Sequence, residues 1–216
     1  EKYVYLPLHV IPESTTFIKA SMYVSEISLI EAISKSLPIS WKLYVKEHPQ
    51  MIGYRPLEFY KKIKRLHNVK LVSPGFYKDP KPWIEKSLAV VTIGGTSALE
   101  ATLLNKPAIV MGNVCYNVLS NIKVINNYDE FESLFKLIET NCWTKTNRIE
   151  CAAYLKTITD FGINLDILSL INLSSKKINS SSKMSIKENE KLIELQNNFV
   201  KFFNNAISIY NNQIKK

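Results

Sequence analysis

Short apolar runs alternate with helical patterns along residues 1–140 of the chain. This alternation is typical of an α/β fold built on a parallel sheet. Five runs are rich in β-branched or aromatic residues and lie near Pro or Gly, so we predict strands over Tyr3–Leu8, Trp41–Lys46, Val69–Val72, Ala89–Ile93 and Ala108–Met111. These runs are largely continuous in their apolar character, as expected for parallel strands that are buried on both faces.

Helical periodicity fills the segments between and after these runs. It predicts helices over Val24–Ser36, Pro56–Leu66, Pro82–Lys86, Ser97–Leu104, Asp129–Glu139 and Arg148–Phe161. In the first of them, Ile27, Ile30 and Leu37 fall on one apolar stripe, which is the face that would pack on the sheet.

The composition changes near residue 172, where a Ser- and Lys-rich stretch begins. We predict a domain over residues 1–172, a polar linker over 173–185 and an amphipathic helix over 186–216. The apolar stripe of that helix is Leu192, Leu195, Phe199, Phe202, Phe203, Ala206, Tyr210 and Ile214. It could pack on its own domain, on a neighbouring domain, or on the inner membrane surface, where the flanking lysines Lys187, Lys191, Lys201, Lys215 and Lys216 would help.

Composition and charge exclude several classes of protein. The 216 residues are 46% hydrophobic and 22% charged, which excludes a mostly disordered or fibrous chain. The net charge of +9 is concentrated at the C-terminus, because residues 176–216 carry eight lysines and three acids. No aromatic and basic module of the usual kinds accompanies this charge, so we do not expect nucleic-acid binding.

Cysteine usage and the N-terminus give further expectations. Cys115, Cys142 and Cys151 are too scattered for a disulfide framework or a zinc site, so we expect a cytoplasmic protein without a metal. No signal peptide and no run long enough for a membrane-spanning helix is visible. The sequence begins with Glu1 directly before a predicted strand, and we expect it to be a segment of a longer protein.

The first candidate motif is Lys46-Glu47-His48-Pro49, which follows the second predicted strand. Ligands of open α/β sheets bind outside the carboxyl ends of the strands. Pro49 holds the preceding residue extended, so His48 would project from that edge. There it could donate a hydrogen bond to a phosphate or carry a proton, or it could simply bond to a loop carbonyl.

The second motif is Thr92-Ile-Gly-Gly-Thr-Ser-Ala-Leu-Glu100, in which a strand runs through two glycines into a helix. Gly94 and Gly95 would let the backbone approach a ligand, and a helix start offers N–H groups to a phosphate. Ser97 and Glu100 have the spacing of a capping box, which needs no ligand. Alternatively, Glu100 could face the cleft and accept ribose hydroxyls.

Weaker candidates lie nearby. Asn113 and Tyr116 follow the fifth strand and could contact a base or sugar, or merely shape a turn. Glu13 could be a cleft carboxylate or a helix-start acid. Arg55 could face an anion, where with Lys46 it would give a positive field that recruits the donor, but we expect it at the surface. His9 and His67 have no partner that the sequence identifies.

Several of these motifs, taken in order, resemble a known family. They are the segments 43–55 (LYVKEHPQMIGYR), 59–60 (FY), 68–74 (NVKLVSP), 91–101 (VTIGGTSALEA) and 105–112 (NKPAIVMG). Over about residues 1–120 the chain resembles bacterial capsule polysaccharide biosynthesis proteins, which are similar to the Kdo transferases of capsule assembly and more distantly to bacterial sialyltransferases. The family often carries a single small residue where Gly94 and Gly95 stand here.

The resemblance implies one half of a GT-B glycosyltransferase, which is a Rossmann-like domain with a doubly wound parallel sheet. The C-terminal amphipathic helix that we predict after this domain is not part of the family's pattern. This chain resembles the C-terminal, nucleotide-binding half. On the family's pattern, His48, Thr96 and Ser97 would contact the donor phosphate and Glu100 would bind the ribose. The general base belongs to the N-terminal domain of such enzymes and has no counterpart here, so we expect this chain alone to be inactive.

The resulting hypothesis is the donor-binding domain of a metal-independent glycosyltransferase. It would use a CMP- or UDP-linked sugar and a polysaccharide or glycolipid acceptor, with no cofactor beyond the nucleotide-sugar donor. His48 is the predicted catalytic residue, and the predicted substrate-binding residues are Lys46, Pro49, Gly94, Gly95, Thr96, Ser97, Glu100, Asn113 and Tyr116. The alternatives are a CDP-alditol phosphotransferase of the teichoic-acid type, a non-catalytic scaffold of the same fold and, more distantly, a UDP-sugar 2-epimerase.

Overall fold

The structure is a computed structural model that describes residues 1–12, 17–18, 20–72, 79–146, 148–162, 166–178 and 185–214. It contains all five predicted strands: β1 (Tyr3–Pro7), β2 (Lys42–Lys46), β3 (Val69–Val72), β4 (Ala89–Thr92) and β5 (Ala108–Val110). A sixth strand, β6 (Ile122–Val124), was not predicted, because only one of its three residues is buried and so short an edge strand carries no apolar run.

Seven of the described helices begin and end close to the predicted bounds, and one, Ile167–Ile178, was not predicted. The helices are α1 (Glu26–Ser36), α2 (Leu57–Lys64), α3 (Lys81–Lys86), α4 (Ser97–Leu103), α5 (Glu130–Glu139), α6 (Arg148–Phe161), α7 (Ile167–Ile178) and α8 (Ile186–Ile214). Helix α1 starts after Ser25, whose hydroxyl accepts a hydrogen bond from the Ser28 N–H at 3.4 Å. It ends at Ser36, directly before the Leu37-Pro38 pair, since the residue before a proline is disfavoured in the helical region.

The six strands form one parallel sheet in the order β3-β2-β1-β4-β5-β6. Successive side chains of β1 lie on opposite faces of the sheet and belong to two separate hydrophobic cores. Val4 and Leu6 pack with α1, α2 and α5 on one face, whereas Tyr3 and Tyr5 pack with α3 and α4 on the other. Helices therefore cover both faces, which confirms the predicted Rossmann-like, doubly wound α/β fold. The strand order reverses between β1 and β4.

The chain divides into two compact units, residues 1–154 and 155–216. In the second unit, α7 contacts α8. Helix α7 extends to Ile178 and so includes residues 173–178 of the stretch that we predicted as a linker. The Asp166 carboxylate accepts a hydrogen bond from the Ser169 N–H at 3.0 Å, and this N-terminal cap together with apolar residues such as Leu170 favours a helix despite the polar composition. The domain boundary at residue 172 stays a prediction.

Helix α8 confirms the predicted C-terminal helix, and its apolar stripe has two parts. Leu192 and Leu195 are buried, whereas Phe199, Phe202 and Phe203 are 37–48% exposed and contact one another through their rings. The side chains of Ala206, Tyr210 and Ile214, and residues Lys215 and Lys216, lie outside the described residues. Among the described helices, none is both long and apolar enough to cross a membrane. Membrane-surface association stays a prediction.

Candidate functional site

A cavity of about 400 Å³ opens at the carboxyl edge of the sheet, where the strand order reverses between β1 and β4. Open α/β sheets bind their ligands at this point, because the loops diverge there and leave a crevice. The walls come from the segments that follow β1, β2 and β4. Eight residues that we predicted for the site line the cavity, namely Lys46, His48, Pro49, Gly94, Gly95, Thr96, Ser97 and Glu100.

His48 is half-buried and lies just beyond the end of β2. Its ring Nδ1 accepts a hydrogen bond from the backbone N–H of Gln50 at 3.2 Å, at the start of a 3-10 turn that begins with Pro49. A neutral imidazole that accepts at Nδ1 carries its proton on Nε2. The Nε2–H group is then a hydrogen-bond donor, which suits an anionic ligand in the cavity.

Gly95 lies where two side chains crowd its backbone. A Cβ atom at this position would meet the Thr92 Oγ1 at 3.0 Å and the His9 Nε2 at 3.3 Å. The Gly95 N–H donates to the Thr92 hydroxyl at 3.1 Å, and the Gly95 carbonyl accepts a hydrogen bond from the Tyr116 hydroxyl at 2.7 Å. The loop between β4 and α4 is thus held from both sides, and the space beside Gly95 admits no side chain without a shift.

The capping-box alternative for Ser97 and Glu100 does not match the geometry. Helix α4 begins at Ser97, its cap residue is Thr96, and the Glu100 N–H bonds to the Thr96 carbonyl at 3.0 Å. The Glu100 carboxylate accepts a hydrogen bond from the Thr96 hydroxyl at 3.3 Å and lines the cavity. Glu100 is therefore placed to accept hydrogen bonds from a ligand, as the second alternative requires.

His9 lines the same cavity, and sequence reasoning did not assign it to the site. The residue is 7% exposed, and its Nε2 shares a hydrogen bond with the Thr92 Oγ1 at 3.0 Å. Burial lowers the pKa of His9 to about 4, and the electrostatic effects of His48 and Arg55 act in the same direction, so the ring is neutral at pH 7. The available signal was its position after β1, at the same sheet edge as His48.

The prediction that Arg55 lies at the surface is wrong, because its side chain is 6% exposed and bonds to two buried carboxylates. The guanidinium Nη1 pairs with Glu26, and Nε bonds to Glu47 at 3.1 Å. Tyr60 also donates to Glu47, at 2.6 Å, and the pKa of Tyr60 is raised to about 12 by burial and by this carboxylate. Arg55 is thus paired with two carboxylates and is not among the residues that line the cavity.

Lys46 is the lining residue that brings a positive charge. It is buried, and desolvation lowers its pKa, while the carboxylate of Asp79 acts in the opposite direction. An ammonium in such a position gains more from an anionic ligand than it would in open solvent, because the surrounding dielectric is lower.

The remaining candidates lie elsewhere. Asn113 is exposed and is not among the lining residues. Tyr116 is buried, and its hydroxyl donates a hydrogen bond to the Gly95 carbonyl, so it stabilises the loop without lining the cavity. Glu13 lies outside the described residues. Within the described ranges, no group of three or more His, Cys, Asp and Glu side chains is arranged to hold a metal ion.

Comparison with known proteins identifies the fold. No protein-family model matches the sequence, and neither does any curated protein. The UDP-GlcNAc 2-epimerase of Methanocaldococcus jannaschii is 17% identical, with a TM-score of 0.51, over 74% of this chain and 46% of that one. The chain therefore shares the Rossmann-like fold of this enzyme.

Two further structures match with lower TM-scores. KpsC of Thermosulfurimonas dismutans, a β-Kdo 2,7-transferase, is 16% identical over 59% of this chain and 39% of its own, with a TM-score of 0.46. HepE of Anabaena, in complex with UDP and glucose, is 17% identical over 83% of this chain and 48% of its own, with a TM-score of 0.47. A Kdo transferase is thus among the proteins that the chain resembles. The chain spans less than half the length of each of these three proteins.

Proposed function

We propose that residues 1–154 are the donor-binding half of a glycosyltransferase that uses a CMP- or UDP-linked sugar to build a capsule or other surface polysaccharide. The observation that carries this proposal is the cavity at the reversal of strand order, which both sequence motifs line. Its size, about 400 Å³, lies in the range of small-molecule sites.

Each lining group has a role in this proposal. The Nε2–H group of His48 and the ammonium of Lys46 would bind the donor phosphate, and the backbone beside Gly95, Thr96 and Ser97 would approach it closely. The carboxylate of Glu100 would accept the ribose hydroxyls. Donors placed where charge develops on the leaving phosphate stabilise the transition state more than the ground state.

The reaction is proposed to need no metal and no cofactor beyond the donor. The nearby carboxylates of Glu26 and Glu47 are both bonded to Arg55. The charge on the phosphate would instead be balanced by Lys46, while the Nε2–H group of His48 donates a hydrogen bond to it. The general base and the acceptor site would come from an N-terminal domain, as the resemblance implies.

A sugar-nucleotide epimerase is the second candidate. The observation that favours it is the shared fold with the UDP-GlcNAc 2-epimerase of Methanocaldococcus jannaschii. Both candidates need a nucleotide in the same cavity, so the product distinguishes them. An epimerase would interconvert UDP-GlcNAc and its 2-epimer with no acceptor present, whereas a transferase would leave the donor intact until an acceptor is added.

Calorimetric titration with CMP, CDP, UMP and UDP tests the proposal. Loss of a charge-assisted phosphate contact in His48→Ala should weaken binding by about 1.5–3 kcal/mol, roughly ten- to a hundredfold. Glu100→Ala should weaken the binding of nucleosides and of nucleotides alike, because the proposed partner of the Glu100 carboxylate is the ribose. The matched controls are His67→Ala and Glu58→Ala, which alter exposed residues outside the cavity. If no nucleotide binds at millimolar concentration, or if the controls weaken binding equally, the proposal is wrong.

A further inference from the structure

Two histidines on different strand ends line the cavity, and both are held through their backbone. The N–H of His9 donates to the Glu26 Oε1 at 2.9 Å, and the carbonyl of His9 accepts from the Arg55 Nη2 at 2.6 Å. Glu26 and Arg55 also pair with each other. Both peptide groups of His9 are therefore bonded to one buried ion pair, which fixes the segment that follows β1.

The second histidine is bonded to the other side of the same ion-pair network. The backbone N–H of His48 donates to the Glu47 Oε1 at 2.7 Å. The carboxylate of Glu47 is itself fixed by Arg55, whose Nε lies 2.9 Å from its Oε2, and by the hydroxyl of Tyr60. The segment that follows β2 is thus tied to the same guanidinium as the segment that follows β1.

Arg55 is the residue that these contacts share. A guanidinium presents five N–H donors in a rigid, planar fork, and here that fork reaches two carboxylates and one carbonyl. The side chains of Arg55, Glu26 and Glu47 are only 2–6% exposed. Burial of three charges costs desolvation energy that apolar residues would not incur, so stability alone does not account for such a network.

We propose that Arg55 is a positioning residue that holds the two cavity histidines, His9 and His48, in the relative placement that a nucleotide requires. The nature of the ligand rests on the function proposed above. Arg55 lines no part of the cavity itself, and its guanidinium acts through the backbone of the two histidines. A small displacement of groups that bind a ligand weakens the interaction steeply, so the effect should be visible in affinity.

The test compares variants that separate charge balance from geometry. Arg55→Lys keeps a positive charge between the two carboxylates but cannot form the fork. The triple variant Glu26→Gln, Glu47→Gln, Arg55→Met removes all three charges together and leaves none of them buried without a partner. Arg65→Met is the matched control, because Arg65 is exposed and lies outside the cavity. Circular dichroism melting verifies that each variant folds.

Titration with the nucleotide that the wild-type chain binds gives the first readout. Arg55→Lys and the triple variant should each bind roughly tenfold more weakly or worse, and Arg65→Met should bind as the wild type does. If either folded variant binds with wild-type affinity, the positioning role is overturned.

The second readout needs no nucleotide, so it separates this inference from the proposed function. Long-range ¹H–¹⁵N spectra report the ring tautomer and pH titration of all three histidines. The signals of His9 and His48 should move in Arg55→Lys and in the triple variant, while those of His67 stay in place. Unchanged signals for His9 and His48 would overturn the inference, whereas failure of the wild-type chain to bind any nucleotide would overturn the function alone.

Discussion

The substitution Gly95→Ala tests how closely the loop between β4 and α4 is packed. The added methyl group would lie 3.0 Å from the Thr92 Oγ1, 3.3 Å from the His9 Nε2 and 3.5 Å from the Ser97 Oγ. The hydroxyl of Thr92 cannot move away freely, because it accepts the Gly95 N–H at 3.1 Å and bonds to His9 at 3.0 Å. Any relief must lengthen one of these two bonds.

The magnitude follows from that constraint. Insertion of a methyl group into a close-packed site costs about 1–3 kcal/mol, and we expect Gly95→Ala to lower the free energy of unfolding by that amount. Thr92→Ala alone should cost about 1–3 kcal/mol, because it removes a buried hydroxyl with two partners. The double variant should cost less than the sum, since the oxygen that the methyl group meets is then absent.

Urea unfolding of the wild type, both single variants and the double variant measures this coupling. A second double variant, Thr92→Ser with Gly95→Ala, is the control, because serine keeps the hydroxyl and should give no relief. The reasoning fails if the free energy of unfolding of Gly95→Ala lies within about 0.5 kcal/mol of the wild-type value. It also fails if the loss in the double variant equals the sum of the two single losses to within about 0.3–0.5 kcal/mol.

Two other predictions concern the same region. Because burial lowers the pKa of His9 from 6.5 to about 4, its stabilising contribution is present above pH 6.5 and is lost as the pH falls towards 4. The free energy of unfolding of the wild type should therefore fall by up to about 3 kcal/mol more than that of His9→Asn over that range. Equal pH profiles would contradict this. Glu26 is present in both proteins, so the effect of its raised pKa, which has the opposite sign, cancels in the comparison. Tyr116→Phe removes the hydrogen bond to the Gly95 carbonyl and should lower the free energy of unfolding by about 1 kcal/mol in the same urea assay. A Tyr116→Phe variant as stable as the wild type would show that this bond does not hold the loop.

The sheet could be predicted from sequence because its strands are buried on both faces. Residues 108–111 are apolar without interruption, residues 89–93 are apolar except for Thr92, and that pattern is strong even in a short segment. Strand β6 shows the opposite case, since it lies at the edge of the sheet and only the first of its three residues is buried. Helix α7 was not predicted, and one reason is that its Ser- and Lys-rich end has the composition of a linker. Composition carries no information about an N-terminal cap such as Asp166.

The location of the site was predictable for a topological reason. Parallel strands all end at the same edge of the sheet, so a motif after β2 and a motif after β4 must lie near each other once the strand order is known. The contacts that hold them were not predictable in the same way. Arg55 bonds to Glu26, 29 positions away in sequence, and no periodic pattern links the two residues. An isolated arginine in a loop is usually exposed, so the general tendency predicted the wrong environment.

His9 explains why the loops around the cavity form one unit. Its ring bonds to Thr92, which holds the Gly95 backbone, and its peptide groups bond to Glu26 and Arg55. The hydrogen bonds around Gly95 and those around Arg55 therefore meet at a single residue. The position that joins the two networks is buried, and this burial, together with the smaller electrostatic effects of His48 and Arg55, lowers the pKa of His9. The segments after β1, β2 and β4 are thus linked by hydrogen bonds between residues far apart in sequence.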